Sequence, residues 1–347
     1  MLNNAAISTN VCYSLIIQWI TCGGSRMAKG LLIVNLGSPV SPETKDVRRY
    51  LREFLSDQNV ITMPKALWQP ILRGFILPFR SWRSATFYKH EWTQAGSPLI
   101  AYTQVTRDRL RERLPDWDVQ MAMNYGGEYP IGETLQTMAA RGDAPIVVIP
   151  LFPEYTQSTT KTILDKVAAS GVKTVVIDRF YDHSDYQKIL AQQIDDAYEA
   201  GAYDTVILSY HGIPTAMVRH GDPYQQECET TTAGVKQYLK KVPQTKVEMC
   251  YQSKFGPVPW LKPYLRNRLM ELAALGKRNV LVATPSFVAD CLETLEENNV
   301  QNYQTFRANG GKNFATVRPM NGCEPFCDFL AKLAKDKIAA EANHGKA

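Results

Sequence analysis

Two places in the sequence combine residue types that can do chemistry with neighbours that would hold them still. His211 follows the apolar run 205–209 after one residue, Tyr210, and is flanked by Gly212 and Pro214. Its ring therefore belongs to a strand end rather than to a swinging loop. Residues 287–297 carry Asp290, Glu293 and Glu297 at i, i+3 and i+7, a spacing that forms one acidic stripe on an α-helix. Glu296 falls beside that stripe and reads as a solvated surface acid. A neutral imidazole, with an ordinary pKa near ~6.5, accepts protons at physiological pH, and carboxylates bind divalent metals through oxygen. A histidine opposite a carboxylate ladder can bind a divalent cation, move protons, or do both. Other chemistries lack their parts: there is no G-x-x-x-x-G-K-[ST], no G-x-G-x-x-G after a strand, no G-x-S-x-G and no H-E-x-x-H. Gly126-Gly127 follows an apolar run and could cradle an anion.

Residues 63–82 set large apolar side chains, Trp68, Phe75 and Trp82 among them, beside Lys65, Arg73 and Arg80. Prolines 64, 70 and 78 and the three cations exclude a membrane-spanning helix. The pattern suits a lip over a flat apolar ligand whose acidic groups meet the cations, with peripheral contact to a membrane surface as a second use. Plain helix pairing against the core is the alternative.

The elements that must position these groups alternate. Apolar runs of strand length occur at 31–36, 119–123, 146–149, 174–177, 205–209, 246–249, 279–283 and 314–317. Helical periodicity marks 43–55, 99–114, 186–200, 261–275 and 326–339. Such alternation specifies an α/β fold with parallel sheet covered on both faces. Two groups of four strands, split near Ala200, predict two similar doubly wound halves, 27–200 and 201–340, each with a four-stranded parallel sheet. The halves also look duplicated: Val34-Asn-Leu-Gly-Ser-Pro39 matches Ser209-Tyr-His-Gly-Ile-Pro214, and Val148-Ile-Pro150-Leu-Phe152 matches Ala283-Thr-Pro285-Ser-Phe287. Ligands of open α/β sheets bind beyond the carboxyl ends of strands, so the site is expected in a cleft between the halves.

The chain has 347 residues, 45% apolar and 21% charged, with a net charge of +5. That composition excludes disorder and coiled coil, and the scattered cations give no reason to expect nucleic acid. Seven cysteines at irregular spacings fit a reducing, cytoplasmic compartment better than a disulfide framework. Residues 1–26 hold a single charge, Arg26, and read as a non-native or misassigned extension, with Met27 as the working start. Residues 341–347 read as a tail.

In order along the chain, Leu36-Gly-Ser-Pro39, Gly96-Ser-Pro-Leu99, Pro150-Leu-Phe-Pro-Glu-Tyr-Thr-Gln-Ser-Thr159, Ser209-Tyr-His-Gly-Ile-Pro214, Gly221-Asp-Pro-Tyr224, Tyr251-Gln-Ser-Lys-Phe-Gly-Pro-Val-Pro-Trp260 and residues 287–297 together resemble the ferrochelatase family. The resemblance covers roughly 30–333. It implies the chelatase-type fold and insertion of ferrous iron into protoporphyrin IX, the terminal step of haem synthesis. By position it implies that His211 and Glu293 are the catalytic and metal-contacting residues, with Asp290 and Glu297 as the acidic path behind them. It also implies a porphyrin wall that includes Leu36, Tyr155 and Ser209; the lip would add Trp68 and Phe75. Many relatives have histidine where this chain has Cys291. Only Cys323 and Cys327 lie near the C-terminus, so no iron–sulfur cluster and no resident cofactor are expected. The expected partners are protoporphyrin IX and Fe(II), without nucleic acid, in a monomer or weak dimer on or near the inner face of the membrane. A chelatase for another tetrapyrrole or metal, or a porphyrin or haem carrier, is the alternative, and the acidic stripe has no use in a carrier.

Overall fold

A computed structural model describes residues 28–344. The expected extension 1–26 lies outside the described residues, as do 345–347. The last helix, Glu324–His344, runs through the first four residues of the expected tail.

Among the described residues the chain forms eight strands: β1 Lys29–Gly37, β2 Trp117–Tyr125, β3 Ile146–Pro150, β4 Thr174–Val176, β5 Thr205–His211, β6 Val247–Gln252, β7 Asn279–Ala283 and β8 Asn313–Thr316. They make two all-parallel sheets of identical order, β2-β1-β3-β4 and β6-β5-β7-β8. The central strands are covered on both faces, which is why Leu31 to Val34 and Val206 to Leu208 are continuous apolar runs with no exposed surface. In each sheet the first strand lies between the second and third, so the winding reverses there. A crevice opens at such a switch point beyond the strand ends.

The split near residue 200 separates sheets rather than separable bodies. One core cluster takes in Ile33 and Ile149 from the first sheet and Leu208 and Leu281 from the second. The halves also exchange helices. Ser184–Glu199, before the split, packs on Tyr224–Tyr238, whereas the last helix returns to Pro98–Arg113. There Arg113 Nε donates to Asp328 at 2.5 Å, and Arg109 Nη1 donates to the Gly322 carbonyl at 2.6 Å.

The lip is a helical arm of Lys65–Ile71 and Leu77–Glu91 joined through a π-turn, Leu72–Ile76. Pro70 lacks an N–H and clashes with a regular ladder, and the widened turn follows it directly. Phe75, Phe79 and Trp82 are 68%, 75% and 69% exposed. Trp68 faces the other way: it is buried against Leu51, Leu55 and Leu72, and its indole N–H donates to the Leu55 carbonyl at 2.6 Å. The expectation that Trp68 covers a ligand is therefore corrected: a tryptophan that pairs its polar N–H inside the core is an anchor of the arm.

Candidate active site

A cavity lies between the switch points of the two sheets. Its walls include Leu36 and Ser38 from the end of β1, His211 from the end of β5, and Phe287 and Glu293 beyond β7. His211 is the last residue of β5 and only half-buried. Its Nδ1 lies 2.6 Å from the Gly212 carbonyl, and its ring stands 6.3 Å from both Trp260 and Phe287. A carbonyl can only accept, so Nδ1–H is the donor, and the lone pair of the neutral ring is the one at Nε2.

Glu293 opens a ten-residue π-helix, Glu293–Asn302. It lines the cavity on one side and, on the other, a surface groove shared with Glu296, Glu297, Phe75 and Arg80. Gln252, at the end of β6, fixes this helix against β5. Its Nε2 donates to the Glu293 carbonyl at 3.1 Å and to Glu297 Oε2 at 3.2 Å, while its Oε1 accepts from Ser209 Oγ at 2.7 Å and Asn298 Nδ2 at 3.0 Å. Ser209 is fully buried in that network and does not line the cavity. It holds the helix register relative to His211, two residues along, and is not part of a porphyrin wall.

Glu297 accepts from the Ser253 N–H at 2.7 Å and from the Ser253 hydroxyl. Burial pushes its carboxyl above the ordinary range; the Ser253 hydrogen bonds and the nearby His211 hold it back, while Glu293 adds to the rise. Asp290 departs from the expected stripe. It caps the turn before the helix, accepting from Thr294 Oγ1 at 2.8 Å and Asn321 Nδ2 at 2.6 Å, and lines a different cavity from His211. The i, i+3, i+7 argument assumes α-helical pitch, and the π-helix breaks it. Glu296, expected on the surface, is instead 4% exposed. Its oxygens lie 3.3 Å from His90 Nδ1 and 3.2 Å from Gln301 Nε2.

Tyr155 also departs from its expected place. Its ring packs 4.5 Å from the Arg179 guanidinium, and its neighbours Glu154 and Thr156, not Tyr155, line the cavity. Glu154 is buried, and burial pushes its carboxyl up to about 7 despite hydrogen bonds from Thr231 and Ser286. Glu91, at the end of the lip helix, lines the cavity with an unpartnered, buried Oε2. Burial, and after it the charges of Glu293, Glu296 and Asp290, push it up to about 8. Nothing in the spacing of Lys89-His90-Glu91 sets it apart from a surface acid, so sequence reasoning passes over it. Cys291 also lines the cavity, its thiol pushed far up by burial and by Glu293.

Two wound sheets of the same order, with an imidazole and a carboxylate lining the crevice between them, define a chelatase-type protein. The fold agrees with that of SirB from Bacillus subtilis with Fe3+, at a TM-score of 0.52 and 12% identity over 91% of this chain and 98% of that one. The chain belongs to the ferrochelatase family, whose model matches residues 28–338, and the family's reaction is the insertion of iron into a porphyrin. It is 59% identical to the coproporphyrin III ferrochelatase of Lactiplantibacillus plantarum, over 92% of this chain and 98% of that protein. It is 42% identical to the coproporphyrin III ferrochelatase of Lactococcus lactis subsp. cremoris, over 90% and 98%. With the ferrochelatase of Hamiltonella defensa it shares 39% identity over 88% and 97%. Among the described residues no helix is long and apolar enough to cross a membrane.

Proposed function

We propose that this chain inserts ferrous iron into coproporphyrin III, in place of the protoporphyrin IX expected from sequence. The observation that carries the insertion chemistry is that His211, with Nδ1 turned to the Gly212 carbonyl, and Glu293 line one cavity from two different strand corners. A free-base porphyrin must lose two pyrrolic protons as four Fe–N bonds form. His211 Nε2 takes one proton, and the Gly212 carbonyl, bonded to Nδ1–H, supports the imidazolium that results. Glu293 holds the ferrous ion weakly through oxygen, gives it up to the four nitrogens and takes the second proton. The Glu293–Glu297 side of the π-helix opens to the surface groove, so ion and proton have a route that the macrocycle does not block. Phe75 sits over that groove as part of the lip.

The choice of coproporphyrin is supported by the named substrate of the relatives at 59% and 42% identity, and by hydroxyls set into the cavity's lining. Ser38, Ser97, Ser158 and Thr159 present hydroxyls along it, whereas that of Thr156 is spent on Asp222, and those of Ser38 and Thr159 are buried without partners. Coproporphyrin carries four propionates where protoporphyrin carries two and two vinyls, so it can satisfy more of them. No resident cofactor is required. Cys323 and Cys327 have thiols pushed up by burial, and Cys327 Sγ donates to the Gly322 carbonyl at 3.3 Å.

Anaerobic incubation with Fe(II) and each porphyrin, followed through the Soret band, tests the proposal. A kcat/KM at least about tenfold higher for coproporphyrin III is expected. Equal or reversed values would sink the substrate choice, and binding of porphyrin without insertion would make the chain a carrier.

A further inference from the structure

At the carboxyl end of β2, apart from His211 and Glu293, an open cavity is lined by Glu53, Asn124, Gly127, Gly132 and Lys166 among others. Asn124 is 2% exposed, yet neither its Oδ1 nor its Nδ2 has a hydrogen-bond partner. The helix Ile131–Ala140 starts at the same cavity with Pro130 as its N-cap. Proline offers no side-chain oxygen, and the first intrahelical bond is Thr134 N–H to the Pro130 carbonyl. The parallel bridge between Met123 and Pro130 engages the Ile131 N–H, and the N–H groups of Gly132 and Glu133 have no acceptor among the described residues. Lys166 brings a half-buried ammonium, 4.4 Å from the Tyr125 ring and donating to the Asn124 carbonyl. Arg49 Nη2 lies 3.5 Å from where a Cβ on Gly127 would stand. Of the acids nearby, Glu53 is occupied by the Gly126 N–H at 3.1 Å and faces Lys166 at 3.9 Å, and Glu133 is exposed.

We propose that this cavity binds a small oxyanion, the phosphate or carboxylate group of a small molecule, between the open N–H groups of Gly132 and Glu133, the Asn124 amide and the Lys166 ammonium. Each donor suits an anion: the Gly132 and Glu133 N–H groups and the Asn124 amide have no acid partner, and Lys166 has only Glu53, at 3.9 Å. The site shares a wall with the porphyrin cavity. Gly126 has φ +103° and a Cβ there would lie 2.2 Å from the Ser38 carbonyl; Gly37 has φ +95° and would meet the Tyr125 carbonyl at 2.0 Å. The two glycine corners interlock without slack, so an anion that draws on the Asn124 amide and moves the 124–127 corner also shifts Ser38, which lines the first cavity. That coupling, though not the binding, rests on the porphyrin reading of the first cavity.

The test is a titration of the full chain, labelled with 15N at glycine, with inorganic phosphate and separately with succinate at constant ionic strength. Saturable shifts of the Gly126, Gly127 and Gly132 amides are expected, and the tighter probe names the group. Gly132→Asp is the control. A Cβ at Gly132 meets nothing within 4 Å, so the variant folds, and its carboxylate covers the helix start. It should weaken the anion at least about tenfold with an unchanged or higher Tm. Shifts that grow linearly with anion, or saturation unaltered by Gly132→Asp, would overturn the site. At saturating anion the KM for porphyrin should change at least about threefold in the wild type and not in Gly132→Asp, with the KM for iron constant. An unchanged porphyrin KM would overturn the coupling. Failure of the porphyrin reading shows up separately, as no insertion at all with the glycine shifts intact.

Discussion

Replacing Glu91 by Gln should stabilise the protein, by an amount that depends on pH. The carboxyl is 9% exposed, has an unpartnered oxygen and faces the charge of Glu293. Its proton is held up to about pH 8 in the folded chain, against an ordinary value of 4.5. Between those two values the folded state keeps a proton that the unfolded state has lost. Stability therefore falls as pH rises through that window, the reverse of a salt-bridged carboxylate. At about 1.4 kcal/mol per pH unit, the cost is near zero at pH 4.5, about 3 kcal/mol at pH 7 and about 5 kcal/mol above pH 8. These are upper figures, since local opening lets water reach the group. Gln matches the neutral acid in shape and hydrogen bonding but cannot ionise. Urea unfolding of wild type and Glu91→Gln at pH 5, 6, 7 and 8 should show a gain that widens steadily with pH. Insertion activity near pH 7 should survive within about threefold, because the wild-type group is already neutral there. A gain that is flat across the series would refute the burial argument. Loss of activity as deep as that of Glu293→Gln would show that Glu91 works as an anion.

His211→Ala should abolish insertion while porphyrin still binds, as read by quenching of porphyrin fluorescence; retained turnover would remove the proton acceptor from the scheme. Glu293→Gln should lower kcat by about 100-fold or more, the scale of a lost acid–base group. Asp290→Asn should reduce Tm with little effect on kcat, since the side chain ties Thr294 to Asn321; a kcat loss matching that of Glu293→Gln would restore Asp290 to the metal path. Trp68→Ala should cost about 3–5 kcal/mol by equilibrium unfolding. Phe75→Ala, at an exposed position, should leave stability within about 0.5 kcal/mol and raise the KM for porphyrin alone.

The sheets were legible because buried parallel strands demand uninterrupted apolar runs, and the runs from Leu31 and from Val206 have no other use. His211 was legible for a related reason: a reactive side chain just after such a run, braced by glycine and proline, has only one place to go. The acidic stripe was half legible. Glu293 and Glu297 do share a face, but residue spacing carries no sign that the ladder is i→i+5, and that change of pitch turns Asp290 into a cap and draws Glu296 inward against His90. Trp68 and Phe75 look alike in the sequence. Only the direction of the arm after Pro70 decides that one pairs with Leu55 and the other faces outward. Glu91 and the exchanged helices could not be read at all, since both depend on which distant surface an ordinary helix meets.

The repeat between the halves goes further than the strand order and explains how the labour is divided. In both, the third strand ends in a Pro-x-Phe corner and the next helical segment is a π-helix, Gln157–Lys161 after β3 and Glu293–Asn302 after β7. A wide turn at that point pushes side chains toward the crevice that the switch point has opened. The first half uses it to present Ser158 and Thr159, hydroxyls suited to the acidic substituents of a macrocycle; the second presents Glu293, suited to a dication. The first strands divide in the same way, Leu36 giving an apolar contact where the second half has His211. On the proposed reading one half holds the ring and the other changes it, and neither could do so alone, because the cavity has its walls in both.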